Sequence, residues 1–227
     1  IRKLLKCLYG RRESGKEWQD EVCSYLISQG YERCEESHCS HRRPSKVVKG
    51  KYIKLSVYVD DCVISAPDKT EHLEARNQIL TKYPGRVIEP IISADGLTET
   101  YDVIGSEVTH NKSKKKITIT LREYIEKKCQ KFDGDWCDQF EKGLTKEVES
   151  PAFKEEQLQE GPIDTSKFDL RSAVGSLIWI ITICRPDVAI VVSCLAKYVS
   201  RKKTKSLVTA IRKCFRYLYC TKDRGIG

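Results

Sequence analysis

Residues Lys51–Ala66 read KYIKLSVYVDDCVISA, the pattern of two short strands folded back at a pair of adjacent carboxylates, Asp60 and Asp61. On the incoming side Ile53, Leu55, Val57 and Val59 alternate with Lys54, Ser56 and Tyr58, the period of two expected of a half-buried strand. The outgoing side, Cys62 to Ala66, is short and apolar. No Asn-Gly, Asp-Gly or Gly-X pair closes the turn, although such pairs relieve the backbone of a tight hairpin. A tip built from Val and Asp is therefore expected to be strained, and strain is kept mostly where it serves a site. Two neighbouring acids also repel each other unless a cation lies between them. A hard, oxygen-seeking divalent ion meets that need, Mg²⁺ above all, with Mn²⁺ as its substitute. The simpler alternative is a solvated Asp-Asp turn, so the surroundings of the pair must discriminate.

Those surroundings are specific. Tyr58-Val59-Asp60-Asp61 resembles the YxDD box of reverse transcriptases. Upstream, Leu8-Tyr9-Gly10-Arg11-Arg12-Glu13-Ser14-Gly15-Lys16-Glu17-Trp18 is similar to the LYGLKQAPRAW segment of copia-type retrotransposon polyproteins. Downstream, Tyr101 to Gly105 resembles the start of the thumb in that family. Leu170 to Ile178 with Arg185 to Ala189 resembles its YRSAVGSLIY…TRPDIA stretch, and Phe215 to Leu218 with Thr221 to Asp223 its LRYLKGTKD stretch. Order and spacing agree over nearly all 227 residues.

The resemblance implies an α+β fold: a polymerase palm sheet carrying the YVDD hairpin with packing helices, then a thumb hairpin plus helix, then a helical connection. Its divisions would be a partial palm over 1–100, the start of the thumb over 101–132, an acidic linker over 133–169 and the connection over 170–227. It also implies RNA-directed DNA polymerase activity, with Asp60 and Asp61 as catalytic metal ligands. Tyr58, Val59, Tyr9, Gly10, Arg12 and Lys16 would meet nucleotide or template. The implied partners are an RNA template, a DNA primer, deoxynucleoside triphosphates and the rest of the polyprotein. In the family a first catalytic Asp precedes the LYG segment and a ribonuclease H domain follows the region of Gly225-Ile226, so the chain reads as truncated at both ends. Two positions depart from the pattern: Glu13 stands for a Gln and Gly15 for a Pro. An anion at 13 is expected to weaken nucleotide binding.

Composition points the same way. The net charge is +9, yet residues 133–169 hold 11 acids and 4 bases, so the remainder carries +16. Such asymmetry suits a polyanionic partner. Arg42, Arg43, Lys114, Lys115 and Lys116 are the candidate contacts to a nucleic-acid backbone, with the basic stretch from Arg201 to Arg216 behind them. Eleven cysteines at irregular spacing read as free thiols in a reducing compartment, hence an intracellular location, in the nucleus or in a cytoplasmic virus-like particle. Cys34, His38, Cys39 and His41 invite a zinc reading, but their spacing fits no common zinc pattern; in the family an aromatic often occupies the place of His41. No apolar run approaches the length of a membrane span, so no membrane partner is expected.

Periodicity predicts helices over Lys16–Gln29 and Lys69–Tyr83 packed on one face of the hairpin, the second opened by a capping box at Asp68 and Glu71. It predicts strands over Tyr101–Thr109 and Lys115–Leu121, a helix over Arg122–Phe132, and one short helix at Phe153–Glu160 within an otherwise irregular linker. Helices over Leu170–Cys184, Pro186–Ser200 and Thr204–Tyr219 complete the chain. Two functions remain: a piece of a polymerase that works only within its polyprotein, or a catalytically dead remnant that binds nucleic acid.

Overall fold

The computed structural model describes residues 10–11, 13–158, 161–201 and 203–227. The chain is α+β and divides into two compact units between Val87 and Ile88.

In the first unit, helix α1 (Ser14–Ser28) precedes four strands, β1 (Glu32–Arg33), β2 (Ser40–Pro44), β3 (Tyr52–Tyr58) and β4 (Asp61–Ser65), and helix α2 (Lys69–Lys82) follows. The strands form an antiparallel sheet in chain order. Along β3, inward Ile53, Leu55 and Val57 are buried and the residues between them are exposed, the alternation that one covered face imposes. Val22 and Leu26 of α1 and Ala75 of α2 join them in one core. Both helices thus contribute to the core that backs the hairpin. Gly30, at φ +83, lets the backbone reverse after α1, so that the Tyr31 N–H reaches the Leu26 carbonyl. Asp68 caps α2 by accepting from the amides of Thr70 and Glu71. The expected capping box is only half made, because Glu71 turns away to accept from Ser45 Oγ and the Lys46 amide. Residues 32–44 form a hairpin of β1 and β2, which puts His41 in the core and turns Arg42 outward.

The second unit opens with another antiparallel sheet in chain order, β5 (Ile91–Ile92), β6 (Thr98–Val103), β7 (Ser106–Asn111) and β8 (Lys116–Thr120). The single strand expected over Tyr101–Thr109 is instead broken by a two-residue turn. Ile104 and Gly105 both have positive φ, 53° and 74°, the mark of a type I′ hairpin. The turn lacks the usual sequence signal, because Ile, a β-branched residue, stands where Asn or Asp usually does. Helix α3 (Arg122–Glu141) runs past its expected end at Phe132, kinked at Asp133, whose φ and ψ are non-helical. Much of the acidic segment is irregular, with a 3₁₀ turn at Glu155–Leu158 inside the expected short helix. Helices α4 (Leu170–Ile183), α5 (Ala189–Lys197) and α6 (Lys205–Cys220) follow, and the turn that Pro186 opens is 3₁₀ rather than α. Their core is large and aromatic: Phe132 stacks on Phe215, and Trp136 on Phe140.

Candidate active site at a hairpin tip

Tyr58 pairs directly with Asp61 at the ends of β3 and β4, leaving Val59 and Asp60 as a two-residue loop. Val59 has φ 55 and Asp60 is not in the positive region. That is the pattern of a type II′ turn, whose first loop position favours glycine. A β-branched residue with positive φ is a genuine outlier, costing on the order of 1–3 kcal/mol. The strain expected at this tip is therefore present. Asp60 and Asp61 are exposed, and so are Tyr58 and Val59, each at 57%. The hairpin projects four side chains into solvent, two of them carboxylates.

A buttress stands behind the tip. Trp18 of α1 donates its indole N–H to the Val59 carbonyl at 2.5 Å. Its ring packs edge-on against Tyr83, 5.1 Å between centroids, and Tyr83 packs edge-on against Tyr25. Periodicity assigns Trp18 to core packing, and it does pack there. The bond to a tip 41 residues away had no local signal in the sequence.

Of the segment expected to meet the nucleotide, Tyr9 and Arg12 lie outside the described residues. Gly10 has φ +87 and, among the described residues, nothing within 4 Å of where a Cβ would sit, so its backbone calls for glycine. Lys16 is exposed on α1. Glu13 sits at the N-cap position of α1 and pairs with Arg11 at 3.1 Å, both well exposed. There an anion is favoured by the helix dipole, a local reason for the acid that stands in place of Gln.

The oxygen donors of Asp60 and Asp61 suit Mg²⁺ or Mn²⁺, which bind through one or two carboxylates completed by water and phosphate oxygens. Among the described residues no group of three or more His, Cys, Asp or Glu is placed to hold a metal. The four zinc candidates do not converge: His41 is fully buried, whereas Cys39 is exposed. All ten described cysteines are free thiols, and no described helix is long and apolar enough to cross a membrane.

The candidate phosphate contacts separate into two kinds. Lys114, Lys115 and Lys116 are exposed at the β7–β8 turn. Arg42 pairs with Glu32 at 2.7 Å and lies over the Tyr52 ring. Arg43 is mostly enclosed, with its guanidinium over Tyr31 and a bond to the Gln29 carbonyl. Along and just before α6 four cations already have partners. Arg216 meets Asp133 at 2.5 Å, Arg212 donates to the Phe132 carbonyl, Lys213 donates to the Ala152 carbonyl, and Lys203 donates to the carbonyls of Ser166 and Phe168. Part of the charge asymmetry read from composition is thus spent holding the acidic segment against the helices.

Sequence reasoning also missed a buried ion pair. Arg185, 1% exposed, grips Asp187 with two bonds at 2.8 and 2.7 Å and reaches Thr221 through two more. Burial disfavours its charge, but Asp187 more than offsets this and holds the guanidinium firmly protonated, while Asp187 sits below the usual carboxylate range chiefly through the Arg185 hydrogen bonds.

No family model matches the chain, and no solved structure matches it. The chain is 24% identical over 224 residues to the retrovirus-related Pol polyprotein from transposon TNT 1-94 of Nicotiana tabacum, covering 95% of this chain and 15% of the tobacco protein. It is 24% identical over 218 residues to a putative transposon Ty5-1 protein of Saccharomyces cerevisiae, covering 95% of this chain and 64% of that one. Over 115 residues, 49% of its length, it is 31% identical to the yeast transposon Ty1-DR1 Gag-Pol polyprotein, of which it covers 6%. Along nearly its whole length, then, the chain is similar to a plant retrovirus-related Pol polyprotein and to a putative yeast transposon protein, of each of which it spans a part.

Proposed function

We propose that the chain is the later palm, the thumb and the connection of an RNA-directed DNA polymerase from a copia-type retrotransposon. The single observation that carries this is the tip: a YVDD hairpin with a strained two-residue turn, two exposed carboxylates and two helices supplying the core behind it. Similarity to retrotransposon polyproteins supports it.

Asp60 and Asp61 would hold Mg²⁺ or Mn²⁺, with the remaining ligands from substrate, water and the rest of the polyprotein. Such an ion, when bound, stabilises the negative charge that develops as a primer hydroxyl attacks the α-phosphorus of a deoxynucleoside triphosphate. This chain's residues position the reactants: Tyr58 and Val59 present a surface beside the acids, while Gly10 permits close backbone approach to the nucleotide or template base. Lys16, and Tyr9 and Arg12 ahead of it, would line the nucleotide path, and Lys114 to Lys116 would follow the duplex backbone. The partners are an RNA template, a DNA primer and the remaining polyprotein, within a cytoplasmic particle or the nucleus.

Primer extension on a primed RNA template with Mg²⁺ tests this. The isolated chain is expected to be inactive, and the chain joined to the preceding region of its polyprotein to synthesise DNA. Asp60→Asn in the joined protein removes a charge at constant size and should abolish synthesis; full activity would place the chemistry elsewhere. Glu13 favours a second reading, a remnant that binds nucleic acid without catalysis. That reading prevails if the joined protein is inactive while the chain still binds nucleic acid. If the joined protein is active, Glu13→Gln should leave synthesis unchanged or raise it.

A further inference from the structure

We propose that Trp18 is a positioning residue: its indole N–H on the Val59 carbonyl fixes the plane of the Val59–Asp60 peptide, and with it the direction in which Asp60 leaves the tip. The consequence for metal binding rests on the polymerase reading; the effect on the tip does not.

Two hairpins of this chain make the comparison. Both have two-residue loops and both carry a β-branched residue at positive φ in the first loop position, Val59 at 55° and Ile104 at 53°. At the second position they differ. Gly105 has φ +74, giving type I′, while Asp60 is outside the positive region, giving type II′. The two turn types differ by a flip of the peptide plane between the loop residues, which reverses the direction of the first residue's carbonyl. Both have a backbone twist that suits a hairpin. Backbone sterics at Val59 favour type I′, whose first position is left-handed helical, over type II′, whose first position suits glycine, and Asp60 would tolerate the positive φ that type I′ needs. The distinguishing feature is the donor. The Val59 carbonyl meets the Trp18 indole, against which the Tyr83 ring packs edge-on at 5.1 Å. A flipped peptide would lose this bond and give the Asp60 Cα a different orientation, so the carboxylate would point elsewhere.

The segment that carries Trp18 also carries Gly10 and Lys16, so the bond couples the expected nucleotide path to the acid pair through one hydrogen bond. A neutral hydrogen bond of ordinary strength shifts such a flip equilibrium about fivefold.

Nuclear magnetic resonance on the full chain supplies the test. In the wild type the Trp18 indole proton should exchange with solvent more slowly than an exposed indole, with no variant needed to see it. Trp18→Phe keeps an aromatic ring against Tyr83 and removes the donor. It should shift the amides of Asp60 and Asp61 and the carbonyl carbon of Val59 while the amides of Ile53, Leu55 and Val57 hold their positions. If Phe fails to support the fold, benzothienylalanine at position 18 replaces the N–H by sulfur at nearly the same shape and should give the same shifts. Free exchange of the wild-type indole proton, or tip resonances unmoved in whichever variant folds, overturns the proposal. If the tip moves as expected and the joined polymerase still makes no DNA, the polymerase reading fails and the role of Trp18 at the tip stands.

Discussion

His41 is the residue whose environment is least in keeping with its chemistry. It is fully buried on β2, in register with Leu55, and neither ring nitrogen has a hydrogen-bond partner among the described residues. Burial, and then the nearby Arg33 charge, hold its pKa below the ordinary histidine value. The folded protein therefore binds this proton less readily than the unfolded chain does. Stability of the first unit is accordingly unaffected well above pH 6.5 and declines as pH falls below it, where the unfolded chain takes up the proton first. His41→Phe should abolish that decline and add about 1–3 kcal/mol at neutral pH by removing unsatisfied buried polar groups. Amide exchange of Ile53 and Leu55 at pH 5.5 and 7.5 measures both effects; an unchanged pH dependence in the variant would count against them. The family resemblance implies that an aromatic often stands at position 41, which fits a core position. What the sequence alone cannot give is the strand register that faces the ring inward: one residue of slip would have exposed it.

At the scale of elements, the hairpin and α1 were legible because each carries its own periodic signal, and α2 because Asp68 marks its start and Pro84-Gly85 its end. Alternation runs through Ile53, Leu55 and Val57, and helical spacing joins Val22 to Leu26. The break at Ile104-Gly105 and the extension of α3 were not. The first lacks the usual turn residue, and the second depends on a partner 83 residues away. Asp133, acidic and at a kink, reads locally as a helix end. It is kept within α3 by Arg216 and Arg212 from α6. Asp133→Ala should therefore destabilise the second unit by about 2 kcal/mol. That lies below the range for a broken buried pair, because Arg216 and Arg212 remain partly exposed and can be rehydrated. The same substitution should speed amide exchange between Asp133 and Glu141 more than in α4. Urea denaturation followed by circular dichroism gives the first quantity. An unchanged midpoint would mean that the pair is incidental to the helix.

For the molecule as a whole, net charge is a poor guide to which cations are available. The +16 outside the acidic segment is real, yet four cations on and beside α6 are engaged with residues 132–168. Lys114 to Lys116 remain exposed. Replacing all three by Ala should flatten the dependence of nucleic-acid affinity on salt by about one unit of log–log slope per lysine in contact. Replacing Lys213 and Arg216 should chiefly lower the melting temperature. Filter binding across a salt series separates these outcomes, and equal slopes for the triple variant and the wild type would remove the turn from the interface. Mn²⁺ titration of the full chain, followed by paramagnetic broadening of its amides, tests most directly whether the YVDD tip binds a divalent ion as proposed. Broadening should centre on Asp60 and Asp61, extend to Tyr58 and Val59, and vanish in the Asp60→Asn, Asp61→Asn double variant. Broadening centred on the acidic segment 133–169, or unchanged at the tip in the double variant, would contradict that proposal.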